Sequence, residues 1–203
     1  MKRIFFLGLV CCSQLLWAEA GLEKSWSFKV LIDDREVGSH QFVVVERGES
    51  LSVSSTMALD FKVLLIKRVT YQHQATETWE SGCLSGASSE TERQGKKTRL
   101  QASGVAAGLS VESIQGSELI EGCVRSFAYW DPNLLQGDQL LNVETGEYLP
   151  VVISSYVSAG DSNTHITIAA PKGDIHLQYD AAGDWLSLQT KLKTGAELKY
   201  QRI

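Results

Sequence analysis

Short runs in which apolar and polar residues alternate with a period of two, each closed by glycine, aspartate, asparagine or serine, restrict this chain to β architectures. Trp26, Phe28, Val30 and Ile32 share one face, "DDREVG" turns the chain toward Val37–Val45, and "ERGES" makes the next turn. Residues 50–57 and 61–80 follow, the second long enough for one curved strand or two strands separated by a bulge. No stretch after residue 20 carries the 3.6-residue period of a long amphipathic helix. The polar middle, "SGASSETERQGKKTRL" and "ASGVAAGLS", is expected to form exposed hairpins. "IHLQYDAAGDWLSLQTKLKTGAELKYQRI" reads as three strands with turns at Gly183 and Gly195.

The one helical signal is "DPNLLQG". Asp131 can cap, Pro132 suits the first helical position and Gly137 can end the turn, so a short helical turn is expected near 131–136. Many strands without crossover helices predict an all-β, single-domain antiparallel meander that curves into a partly closed barrel. A membrane barrel is the rival. It would need a lipid-compatible outer face, whereas the strand at 69–79 carries Thr70, Gln72, Gln74, Thr76 and Thr78 on its more polar side.

The N-terminus has the grammar of a secretory leader: Lys2 and Arg3, an apolar run from Ile4 to Trp17, then Ala18-Glu19-Ala20 as an A-x-A cleavage signal. Residues 1–20 are expected to be a signal peptide and 21–203 one β-rich domain, exported and most simply periplasmic. Cys11 and Cys12 suggest a lipoprotein instead, but Val10 stands where a small residue is needed. The apolar run is short for a bilayer span, and no later stretch approaches the roughly 20 residues required, so no transmembrane segment is expected in the mature chain.

The formal net charge of −5, with lysines and arginines scattered, leaves no electrostatic footprint for nucleic acid. Of the four cysteines, Cys83 and Cys123 lie outside the leader. In an oxidising compartment they most simply pair with each other, two separate buried thiols being the alternative. Neither has a second ligand at zinc spacing, and no cofactor or metal site is expected.

The candidate site lies in "VTYQHQATETWESGC". Its more apolar face carries Val69, Tyr71, His73, Ala75, Glu77 and Trp79. His73 and Glu77 are about 13 Å apart along a flat strand, so a partner such as His40 would have to come from a neighbouring strand. The three would form either an acid/base or metal-holding cluster or a hydrogen-bonded interior network. His165 and His176 alternate against apolar residues and are expected to face solvent. Trp130, Tyr179 and Trp185 complete a set of aromatics that either plug the ends of the core or line a ligand cavity.

Several motifs, taken in order, resemble a family of exported bacterial proteins catalogued as a domain of unknown function. They are "FKVLIDDREVGSHQF", "FKVLLIKRVTYQHQATETWESGCL", "AYWDPNLLQGDQLLNVETGE", "LQYDAAGDWLSLQ" and the terminal "GAELKY". The resemblance covers most of the chain beyond residue 20 and supports the fold and the exported compartment; it implies no activity. Its motif positions fall on Gly38, His40, Tyr71, His73, Glu77, Trp79, Cys83, Trp130, Asn142, Gly146, Tyr179, Asp180 and Trp185.

The leading functional expectation is an envelope protein that holds a lipid or other apolar small molecule through His40, Tyr71, His73, Glu77, Trp79, Trp130, Tyr179 and Trp185. One alternative is a structural or assembly protein that docks a partner. The other is a hydrolase-type enzyme using His73 and Glu77, although G-x-S-x-G, H-E-x-x-H, Walker and dinucleotide signatures are missing.

Overall fold

The computed structural model describes residues 21–63 and 67–203. The expected signal peptide, with Cys11 and Cys12, lies outside the described residues. Among the described residues fifteen strands follow one another: β1 (Leu22–Ile32), β2 (Arg35–Arg47), β3 (Ser50–Val63), β4 (Lys67–Glu80), β5 (Cys83–Arg93), β6 (Lys96–Val105), β7 (Gly108–Ser113), β8 (Gly116–Glu121), β9 (Gln139–Leu141), β10 (Tyr148–Pro150), β11 (Val152–Val157), β12 (Thr164–Ala169), β13 (Ile175–Tyr179), β14 (Trp185–Lys191) and β15 (Glu197–Arg202). The expected 61–80 strand is instead the end of β3 and the whole of β4, which pair antiparallel from Ser50↔Glu80 to Val63↔Lys67. The β-rich run there encodes two paired strands, and alternation alone carries no mark of the reversal.

Thirteen strands form one sheet in the order β11-β12-β13-β14-β15-β1-β2-β3-β4-β5-β6-β7-β8. Every neighbouring pair is antiparallel and consecutive in sequence except β15 and β1, which align from Phe28↔Arg202 to Ile32↔Leu198. That pairing joins an N-terminal meander to a C-terminal one. The sheet is not closed: β8 and β11 are its two edges.

The segment linking those edges, residues 122–151, stays out of the large sheet and packs against its inner face. It holds the short β9–β10 hairpin and a 3₁₀ turn at Pro132–Leu134, with Asp131 accepting a bond from the Asn133 backbone N–H. Val124, Ala128, Trp130, Leu134, Leu140 and Leu141 of this segment are buried. Ser126 bonds Glu77 on β4, while the Tyr129 carbonyl accepts a bond from Tyr179 on β13. Those two strands are six places apart in the sheet, roughly 29 Å if it were flat, so the sheet must wrap around the segment that touches both. The result is a curved, barrel-like shell with an internal plug.

Alternation explains which side chains reach the plug. Trp26, Phe28 and Val30 on β1 and His40, Phe42 and Val44 on β2 point inward and are buried. Between Val30 and Leu31 the register shifts, with Val37 as the extra residue on β2; this bulge lets Val37 and His40 both face inward across a three-residue interval. At the centre Trp185 packs on Phe28, Phe42 and Tyr129, with ring centroids 4.4, 5.1 and 5.8 Å away. Cys83 and Cys123 form a disulfide that ties the start of the plug to the start of β5.

Candidate functional site

β4 runs along the floor of two adjoining cavities. The outer one, about 370 Å³, lies where the ends of β3 and β14 and the starts of β4, β13 and β15 converge. Leu59 and Phe61 on β3, Val69 on β4, Ile175 on β13 and Leu188 and Leu192 from the C-terminal meander make its wall largely apolar. Its charged groups, Arg93 and Glu144, pair with each other at 3.1 Å, and the Arg93 guanidinium sits 5.1 Å over the Tyr71 ring. The inner chamber, about 210 Å³, is reached by continuing along β4 from Tyr71 to His73 and Glu77. Met57, Tyr71, Tyr129, Glu144 and Tyr200 line both cavities.

In the chamber each titratable group is held by a different partner. His40 Nδ1 is 2.9 Å from the Tyr200 hydroxyl, and His73 Nδ1 is 2.8 Å from Thr91 Oγ1. Glu77 Oε2 accepts from Trp79 Nε1 at 3.0 Å and from Ser126 Oγ at 2.7 Å. His40, His73 and Glu77 therefore line one chamber without bonding one another. The register accounts for the spacing, because β3 separates β2 from β4 and Met57 stands between the two histidines. Among the described residues no group of three or more histidine, cysteine, aspartate or glutamate side chains is arranged to hold a metal.

Burial disfavours the charged form of all three groups. It pulls His40 down to about 3, aided by the neighbouring His73, and lowers His73 against the opposing pull of Glu144. Burial also raises the Glu77 carboxyl, partly offset by the bonds from Ser126 and Trp79. Tyr71, Tyr129 and Tyr200 are raised as well, chiefly by desolvation, and stay protonated.

Of the sequence-selected residues, His40, Tyr71, His73 and Glu77 line the chamber. Trp79, Tyr179 and Trp185 do not line either cavity and are almost fully buried. Trp79 meets Trp130 edge-on at 5.9 Å beyond the Glu77 end of the chamber, and Tyr179 Oη bonds the Tyr129 carbonyl. Trp130 borders a separate surface hollow with Trp26 and Asp131. The two remaining histidines lie on the far side of the shell: His176 is exposed, and His165 is half-buried and stacked on Tyr156 at 4.8 Å.

Sequence patterning missed Arg93, Phe127, Tyr129, Asn142, Glu144 and Tyr200 as lining residues. Only a turn signal was available for part of this set, in "NVETGE": Asn142 Oδ1 accepts from the backbone N–H groups of Glu144 and Thr145, which fixes the loop that carries Glu144 inward.

A solved structure, the beta-barrel-like protein of the domain of unknown function DUF1849 from Brucella abortus, superimposes with a TM-score of 0.59. The match covers 91% of this chain and 96% of that one at 10% identity, a likeness of fold. No curated protein matches the chain. The family described as domain of unknown function DUF6134 matches residues 28–203. With that match spanning nearly all of the shell and its plug, the chain belongs to the DUF6134 family.

Proposed function

We propose that the protein is exported, loses residues 1–20 as a signal peptide, and binds an apolar or amphiphilic small molecule inside its shell in the cell envelope. The observation that carries this reading is the partly enclosed, mostly apolar cavity of about 370 Å³ that adjoins a smaller chamber lined by polar side chains. Its size falls in the range of small-molecule sites, and its few convergent polar groups are of the kind that orient a ligand. Native mass spectrometry of the protein purified from its own envelope without detergent tests both parts. An intact mass that begins after Ala20 and a reproducible extra mass released on unfolding are expected. A bare protein that takes up no added lipid would overturn the carrier reading, and a lipid-modified Cys11 or Cys12 would overturn the processing.

A second reading, docking of a protein partner, is favoured by one feature. Edge strand β11, "VISSYV", carries no charge and leaves Val152, Tyr156 and Val157 more than 60% exposed. An uncharged, apolar edge is open to pairing with another strand. A Tyr156→Lys substitution would abolish recovery of a specific envelope partner under this reading.

A further inference from the structure

The carrier reading leaves the ligand's chemistry open, and the charges around the two cavities narrow it. Arg93 is the one cationic side chain lining either of them among the described residues, and Glu144 already neutralises it. A carboxylate or phosphate entering the chamber would lose its hydration without meeting a free positive charge. A quaternary ammonium would fare no better, since Glu144 is already paired and a group without an N–H or O–H can donate to none of the chamber's acceptors.

The chamber instead offers neutral hydrogen-bonding groups. His40 is buried, and its Nε2 has no partner among the described residues. Asn142 spends its side-chain oxygen on two backbone N–H groups, so the part that can serve a ligand is its amide N–H pair. Glu77 lines the chamber with its Oε2 already held by Trp79 and Ser126. A buried polar atom without a partner, such as His40 Nε2, is uncommon in folded proteins, and a ligand hydroxyl, which both donates and accepts, satisfies it without bringing charge. The outer cavity, by contrast, is small for two acyl chains and apolar enough for one.

We infer that the ligand is an uncharged, single-chain amphiphile, with its hydroxyl-bearing head in the chamber beside His40, Glu77 and Asn142 and its chain in the outer cavity. This inference rests on the carrier reading. The test compares three headgroups on matched ten-carbon chains, 1-decanoylglycerol, decanoate and decyltrimethylammonium, with decane as the probe without a headgroup, by calorimetry on the oxidised protein at pH 7.5 and below the micellar concentrations of the amphiphiles. Decanoylglycerol is expected to bind at least ten-fold more tightly than either charged probe. In a Ser55→Leu variant, which fills the chamber from β3, that preference is expected to fall below three-fold while decane still binds. Equal or tighter binding of decanoate or of the ammonium probe would overturn the headgroup assignment and leave the carrier reading standing. No binding by any probe, decane included, would overturn both. His40→Phe is the second variant: it removes the unpartnered Nε2 and is expected to bring the preference below three-fold while decane still binds, and an undiminished preference would overturn the placement of the head beside His40.

Discussion

His40 on β2 and His73 on β4 stand opposite the same residue, Met57 on β3, so the two imidazoles face one chamber from strands about 10 Å apart. Their common surroundings lower both pKa values, and that couples folding to acidity. A histidine lowered in the fold binds fewer protons there than in the unfolded chain. Its contribution is therefore complete above its ordinary 6.5 and is lost as pH falls toward the folded value, about 3 for His40, at up to about 1.4 kcal/mol per pH unit. Urea melts between pH 7 and 4 should show a steeper loss in the wild type than in His40→Phe. Identical slopes would remove His40 from the account.

Glu77 acts in the opposite sense. Its carboxyl is raised above the ordinary 4.5, so the folded chain holds that proton more tightly, and the advantage is lost as pH rises through the raised value. Glu77→Gln should therefore be less destabilising, relative to wild type, at pH 7 than at pH 4.5. The reverse order would show that the carboxylate is stabilised where it stands.

The disulfide closes a separation of 40 residues and anchors the plug beside β5. On the chain-entropy account, its loss in a Cys83→Ser/Cys123→Ser double variant should lower stability by about 4 kcal/mol. A Cm within error of wild type, at unchanged m, would mean that the plug is anchored without it.

Gly38 lies where β2 and β3 approach closely. A Cβ there would meet the Ala58 carbonyl oxygen at 2.0 Å and Leu59 Cα at 2.9 Å. Both are backbone atoms of the paired strand, so relief requires the pairing itself to shift. Gly38→Ala should cost about 1–3 kcal/mol, whereas Gly86→Ala, whose nearest neighbour is 3.6 Å away, should change stability by about 0.5 kcal/mol or less. Equal losses in the two variants would rule out the close approach as the cause.

Trp130 of the plug packs edge-on against Trp79 of β4. Truncation to alanine should destabilise by about 3–5 kcal/mol, as for other buried aromatic deletions. Because that contact lies beyond the Glu77 end of the chamber, decanoylglycerol affinity measured on the folded fraction should stay within three-fold of wild type. A larger loss of affinity would make Trp130 part of the binding site.

Local sequence was enough for several elements because their causes are local. The alternation in β1, β2 and β4 reports which face is buried, and the Asp131-Pro132 pair specifies its turn through a side-chain cap and a preset φ. His73 and Glu77 were legible as inward-facing because period two holds along β4 between the Val69 end and the bulge near Trp79. The boundary between β3 and β4 was not, since both sides of it are rich in β-forming residues. What lies across the shell from β4 depends on non-local pairing. β15 meets β1, the sheet wraps, and the plug brings Glu144 to Arg93 and Ser126 to Glu77 across separations of 51 and 49 residues. Short-range sterics and hydrophobic periodicity dictate strand faces and turns from neighbouring residues alone; that Trp79 and Trp185 fill the core while His40, His73 and Glu77 border a cavity follows from the packed fold. That division is a matter of how volume is filled between distant strands, which no single strand encodes.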